Sequence, residues 1–329
     1  MSIRILSAQM LLAEHLYRPI TGTIVTIGRH SVGLTGEQMD RLLASMGVPR
    51  RAGAAYEVDT ETMGGGGSRI TQESFFAAFT DARVLSLDVS AYEGADVICD
   101  LQDKLPWKHR RTADFVYDGG SLDNIFDVAA TLRNISRLLK PGGRFFASNN
   151  GGAHPTSYLK FSADWFMDFF ALNQYADCKA YICNYPGTLG MQKNPDVQCP
   201  YETIVYSFNP YVTHATGEGY DCSSVESVNR YQIYCLAEKG RRSTDHCSPI
   251  QKHYRVDPGH NRICNASAKR FLHSPRPLFS NPTPFDPATI PRIDSSDYPE
   301  QIKPVAVLSK SYVRAVKTGK AEKMPAEPA

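Results

Sequence analysis

Residues 115–148, FVYDGGSLDNIFDVAATLRNISRLLKPGGRFFAS, constrain this chain more than any other stretch. An apolar run stops at Asp118, Gly119 and Gly120. A helix with apolar positions at 128, 132, 135 and 139 follows, and a turn at 140–143 leads into a second apolar run. Strand, helix and strand in that order make two parallel neighbours, because parallel strands need a crossover to carry the chain back. The same grammar recurs upstream. A leading helix is expected over 3–17, and GTIVTIG at 22–28 reads as a buried β-branched strand stopped by glycine. Thr35 and Gln38 form a capping box for a helix through Met39, Leu42, Leu43 and Met46 that ends at Gly47. Phe75, Phe76 and Phe79 mark another helix, and RVLSLD at 83–88 and ADVICDL at 95–101 add strands that end at an aspartate.

Five strands alternating with helices predict an α/β fold, a Rossmann-like doubly wound and mostly parallel sheet with helices on both faces. An aromatic helix at 161–172 and strands at 178–185 and 230–240 bring the sheet to seven. We therefore expect one domain over 1–240, with insertions at about 47–71, which holds GGGG at 64–67, and at 186–229. Residues 241–329 are expected to be an irregular extension, since 274–304 carries eight of the 21 prolines.

Charge excludes little but argues against nucleic acid, because 36 Lys plus Arg against 34 Asp plus Glu leave a formal +2. The first twenty residues are interrupted by Arg4, Gln9, Glu14 and His15, and no apolar run reaches bilayer-spanning length, so no membrane partner is expected. Eight cysteines without a CxxC suit reduced thiols and a cytoplasmic protein. His246, Cys247, His253, His260 and Cys264 match no compact zinc spacing, and no metal is expected there.

In an open parallel sheet, ligands bind beyond the carboxyl ends of the strands. The residues there are Gly28, Asp88, Asp100, and Asp118 with Gly119 and Gly120. Asp88 is a two-pronged acceptor suited to a pair of ribose hydroxyls, and Asp100 could take an adenine amino group while Leu101 packs on the ring. Any one of these aspartates reads equally well as an Asx turn or a helix cap. All four strand ends in the order of one crevice favour a site.

Over about residues 20–185 the chain resembles the class I S-adenosylmethionine-dependent methyltransferases, through IVTIGRHSV, LSLDVSAYEGADVICDLQDKLP and the 113–148 stretch. It looks most similar to a bacterial subgroup with a DGGTLEHVFN-type fourth motif followed by NN…H…Y.FS, here NNGGAHPTSYLKFS at 149–162. The resemblance implies S-adenosyl-L-methionine as cofactor, held by Gly28, Arg29, His30, Asp88, Asp100, Leu101, Asp118 and Gly119. It also implies a small-molecule or carbohydrate acceptor faced by His154 and Tyr158, with His154 as base or as a loop hydrogen-bonder. The first loop departs from the family: Thr26 stands at the acid position, and His30 and Val32 replace two glycines, so His30 could contact the cofactor or serve as a spacer. Asp123-Asn124 replaces a Glu-His pair. Two rival readings follow: a methyltransferase-like scaffold without catalysis, and an enzyme using a nucleotide sugar. The aromatic 186–229 segment (Tyr201, Tyr206, Phe208, Tyr211, Tyr220) could line the acceptor pocket or form a homo-oligomer interface.

Overall fold

The computed structural model describes residues 2–152, 157–185, 201–209, 230–280, 285, 290 and 302–320. The elements in chain order are β1 (Ser2–Ile3), α1 (Ile5–Tyr17), β2 (Thr23–Ile27), β3 (Ser31–Val32), α2 (Gly36–Met46) and α3 (Gln72–Ala77). They continue with β4 (Arg83–Asp88), β5 (Val97–Ile98), β6 (Ala113–Asp118), α4 (Val128–Leu138), β7 (Leu139–Asn150), α5 (Ala163–Leu172) and β8 (Asp177–Tyr185). The last five are β9 (Tyr201–Phe208), β10 (Arg230–Glu238), α6 (Pro258–Leu272), β11 (Ile302–Ser309) and α7 (Lys310–Thr318).

The main sheet has nine strands in the order β11-β9-β8-β10-β7-β6-β2-β4-β5, and β1 pairs with β3 in a separate parallel ribbon. From β7 to β5 every pair is parallel, whereas β10 runs antiparallel to both β7 and β8. The doubly wound, mostly parallel sheet expected from the sequence is thus present, and β9 and β11 lengthen its seven-strand part at the β8 edge. Period-two alternation builds two cores. Ile24, Phe115 and Tyr117 point to one face, where they meet Leu6, Met10, Leu42, Phe75 and Val313 of α1, α2, α3 and α7. Val25, Ile27 and Val116 point to the other, against Leu132, Phe166 and Phe271 of α4, α5 and α6. The capping box forms as expected: Gln38 N donates to Thr35 Oγ1 at 3.3 Å, Thr35 N donates to Gln38 Oε1 at 3.0 Å, and Gly47 closes α2 at φ +66°.

Three expectations are corrected. The region after 240 is not all irregular, because α6 packs on α5, β11 pairs with β9, and α7 follows. Pro304 hid that strand. It sits at a register shift on the sheet's outer edge, where a missing N–H costs no ladder bond. The insertion is not a free excursion either: Val58 bridges Ile70, Thr35 bridges Arg69, and Asp59 Oδ1 accepts from the amides of Glu61 and Thr62 at 3.0 Å each. The turn expected at 140–143 is the bulged start of β7, with Gly142 at φ +84° and its amide on Lys239 O. Residues 186–200, 210–229 and 321–329 lie outside the described residues.

Candidate active site

Register places the four predicted strand ends side by side. Asp100 follows β5, Asp88 ends β4, Gly28 follows β2 and Asp118 ends β6, in the spatial order β5-β4-β2-β6. Gly28 takes φ +77°, a left-handed turn that a side chain would strain, and its amide extends the ladder to Leu87 O at 2.7 Å.

The carboxylates differ in what they have left to offer. Asp88 is half-buried, and Oδ1 accepts only from the Ser90 amide at 3.1 Å. Oδ2 takes no hydrogen bond from the described residues. Asp100 is held by Gln102, whose amide reaches Oδ1 at 2.8 Å and whose side chain spans both oxygens at 3.3 and 3.4 Å. Asp118 is fully buried. It accepts from Ser121 N at 2.7 Å, from Leu122 N at 3.4 Å and from Asn149 Nδ2 at 2.6 Å. Burial pushes its pKa up to about 6, against the pull of those donors. Asp118 therefore braces the turn, and only the half-exposed backbone of Gly119 and Gly120 meets the crevice.

His30 and Leu101 turn away from the crevice, which corrects both as ligand contacts. Leu101 is 4% exposed and belongs to the α4-side core. His30 is wholly buried, edge-on to Tyr117 at 4.9 Å between ring centres, and burial lowers its pKa to about 3, so the ring is neutral. Its packing also explains Gly119, where an added Cβ would lie 2.8 Å from the Tyr117 hydroxyl and 3.0 Å from the imidazole. Val32, the other replaced glycine, is likewise in the core. Both substitutions point inward, so neither side chain fills the crevice.

Arg29 does face outward. It ion-pairs with Glu61 of the insertion and, at 3.2 Å, with Glu73 of α3, and it donates to the carbonyls of Glu93 and Gly94 at 3.3 and 3.2 Å. This clasp joins the loop after β2 to the loop after β4. Beside it opens a groove of about 1110 Å³, lined at one end by Arg29, Asp88, Tyr92, Glu93 and Gly64 and reaching Tyr185, Tyr201 and Lys310 at the other. Sequence reasoning missed the pairing beneath the crevice of Asp123, buried, with the amide of Asn150 at 3.1 Å and with the Asn150 side chain. The signal was the Asn149-Asn150 doublet at the end of β7. Tyr158 is 73% exposed and stacks edge-on with the equally open Phe126 at 6.3 Å. His154 lies outside the described residues. Cys264 is in the core, His260 is at the start of α6, and no group of three or more His, Cys, Asp or Glu among the described residues could hold a metal.

A family model described as a methyltransferase domain matches residues 63–147, which hold Asp88, Asp100 and Asp118 but not Gly28. No curated protein matches the chain. Among solved structures, it is similar to a Burkholderia thailandensis 1,6-didemethyltoxoflavin-N1-methyltransferase with bound 1,6-didemethyltoxoflavin and S-adenosylhomocysteine. Identity is 14% over 71% of this chain and 78% of that one, with a TM-score of 0.31. It is also similar to Haemonchus contortus phosphoethanolamine N-methyltransferase 2 in complex with S-adenosyl-L-methionine (12%, 71% and 52%, TM-score 0.34) and to a Methanococcus maripaludis protein (18%, 44% and 56%, TM-score 0.26). The chain spans little more than half the length of the last two. Overlaps this slight carry no inference about activity. No helix of the described residues is long and apolar enough to cross a membrane.

Proposed function

We propose that the chain is a cytoplasmic methyltransferase that binds S-adenosyl-L-methionine along the carboxyl ends of β5, β4, β2 and β6 and methylates a small-molecule acceptor. The observation that carries this reading is the alignment of Asp100, Asp88, Gly28 and the Asp118 turn on four adjacent parallel strands. The residues fit the nucleoside half of the cofactor best. Asp88 has an open carboxylate oxygen for ribose hydroxyls, and the side chains that replace the family's glycines do not fill the crevice. At the amino-acid end, Arg29 and its acidic partners stand in place of a glycine-rich cradle.

When bound, the cofactor supplies an electrophilic methyl carbon on a sulfonium. This chain's own task is to align it: Asp88 fixes the ribose, the Gly119-Gly120 backbone gives a close floor, and Asp118 and Asp123 hold that floor to the 149–150 strand end. Tyr158 and His154 would meet the acceptor, and His154 would take its proton where the nucleophile carries one. The DGGTLEH-type subgroup is the nearer kinship we propose, on the 115–162 stretch.

Calorimetry with S-adenosylmethionine, S-adenosylhomocysteine and a UDP-sugar tests the reading. The first two should bind and the third should not. Asp88→Ala should weaken both by roughly 10–100-fold, as expected for losing one or two charge-assisted hydrogen bonds. Unchanged affinity in that variant removes Asp88 from the site. Binding of the sugar nucleotide alone would transfer the crevice to that chemistry.

A further inference from the structure

The groove of about 1110 Å³ that includes Asp88 also takes in residues of β8, β9 and α7, and there its lining has a different character. Arg4, Arg69, Lys310 and Lys317 all line the one concavity, and none has a carboxylate partner among the described residues. The Arg4 Nε donates only to Ser2 Oγ at 3.2 Å, and the Arg69 guanidinium only to the Gly64 carbonyl at 2.6 Å.

These charges are not evenly spread. The groove's carboxylates Asp88 and Glu93 lie at the β4 end, where Glu93 Oε1 already accepts from the Met63 amide at 2.8 Å. The far end is built from Tyr185 of β8, Tyr201 and Thr203 of β9, and Lys310 and Lys317 of α7, with Glu202 as its one lining acid. Lys310 and Lys317 are seven residues apart and so share a helix face, with no acidic residue in the first turn of α7 to offset Lys310. Unpaired cations that line a concavity raise the local concentration of anions.

We infer that the far end of this groove is a phosphoryl subsite, so that the methyl acceptor is a phosphorylated small molecule lying between Lys310 and Asp88. The acceptor's identity rests on the methyltransferase reading; the subsite itself does not. Lys310 and Lys317 hold the phosphoryl group as point charges, and Arg4 flanks it. The uncharged remainder of the molecule extends toward the crevice.

The test uses the full chain and inorganic pyrophosphate, titrated at low and at physiological salt, alone and in the presence of S-adenosylhomocysteine. Pyrophosphate should bind, and binding should weaken with salt. A Lys310→Glu/Lys317→Glu variant should lose at least tenfold in affinity, Lys310→Arg/Lys317→Arg should retain it, and the S-adenosylhomocysteine affinity of both should stay within twofold of the parent. Pyrophosphate binding that is undetectable at millimolar concentration, or equal in the glutamate variant, overturns the subsite. So does tighter binding of a neutral sugar than of its phosphate. Lysine-dependent pyrophosphate binding without S-adenosylhomocysteine binding would remove the cofactor reading and leave the anion subsite standing.

Discussion

The two ends of the central sheet spend the same side chains in opposite ways. At the end where β7 and β8 begin, Glu14 of α1 and Asp177 of β8 are each 4% exposed and close on Arg144 and Arg276. Arg144 reaches Glu14 at 2.7 Å, while Arg276 holds Glu14, Asp177 at 2.6 Å and Glu238 at 3.4 Å. Arg144 also donates to the carbonyls of Arg18 and Pro19 at 2.8 and 2.9 Å. The two buried acids, Glu14 and Asp177, offset the two arginines in a dry site, with Glu238 at its rim, and the arginine donors there are directed at protein. At the opposite end, Asp88 keeps an oxygen free of hydrogen bonds from the described residues, and Arg4, Arg69, Lys310 and Lys317 line the groove without a carboxylate partner among those residues. Charge buried with its partner holds elements together, and charge left half-exposed without one is available to a ligand. The sheet thus separates a structural end from a binding end.

The largest effect is expected at the closed end. Burial alone would lower the pKa of Arg276, but Glu14 and Asp177 more than reverse this, so the guanidinium is firmly charged. Arg276→Ala leaves two buried carboxylates without it and should cost about 3–5 kcal/mol, read from the urea midpoint. Ligand affinity of the folded fraction should not move. A loss below about 1 kcal/mol would mean that residues 273–280 are not docked by this arginine, and the contrast between the ends would fail on the structural side. Asp88→Ala is the mirror experiment. Its half-buried carboxylate makes a single Asx-turn bond, so stability should shift by no more than about 0.5 kcal/mol while nucleoside affinity falls.

Asp118 belongs to the binding end by position but to the closed end by burial, which makes its titration informative. Its pKa rises from an ordinary carboxylate value to about 6 in the folded chain, chiefly through burial. Between pH 4 and 6 the folded state therefore holds a proton that the unfolded state has released. Stability should fall as pH rises across that window, by at most about 1.4 kcal/mol per pH unit, and level off above it. The difference in denaturation free energy between the parent and Asp118→Asn, followed from pH 4 to 7, isolates this contribution. A difference that grows with pH would show that Asp118 is ionised throughout and that its donors outweigh its burial.

How much of this was legible in the sequence depended on the range over which each feature is decided. Strand ends such as Asp88 and Asp118, and the Thr35-Gln38 cap, are decided within a few residues by period and turn chemistry, and those readings held. Direction and partnership are decided elsewhere. Nothing near His30 reveals that its ring turns into the Tyr117 core, because Tyr117 is 87 residues away in sequence. The bond from Asn149 to Asp118 spans 31 residues, so Asp118 reads as a ligand group until its donors are counted. The insertion acquires order from Glu61 meeting Arg29 and from two isolated bridges, none of which its glycines announce. β11 was obscured for a local reason, since proline ordinarily argues against a strand and only an outermost edge accepts it.

The smallest expected effect bears on the Arg29 clasp, which lies on the boundary between the two behaviours. Arg29 is largely covered at 19% side-chain exposure, but its partner Glu61 is 56% exposed, and Glu73 remains as a second acid at 3.2 Å. A pair with one partner in water contributes little, on the order of 0.2–1 kcal/mol, and salt screens it. Glu61→Gln should therefore lower stability by less than about 1 kcal/mol at low salt and by almost nothing at physiological salt. Its larger consequence is positional. Glu61 ties the insertion across the loop after β2, so its loss should speed nucleoside release more than it weakens the fold, measurable by stopped-flow dissociation of S-adenosylhomocysteine. If instead the variant loses as much stability as Arg276→Ala, the clasp is a second structural knot, and the binding end of the sheet holds charge for the same purpose as the other.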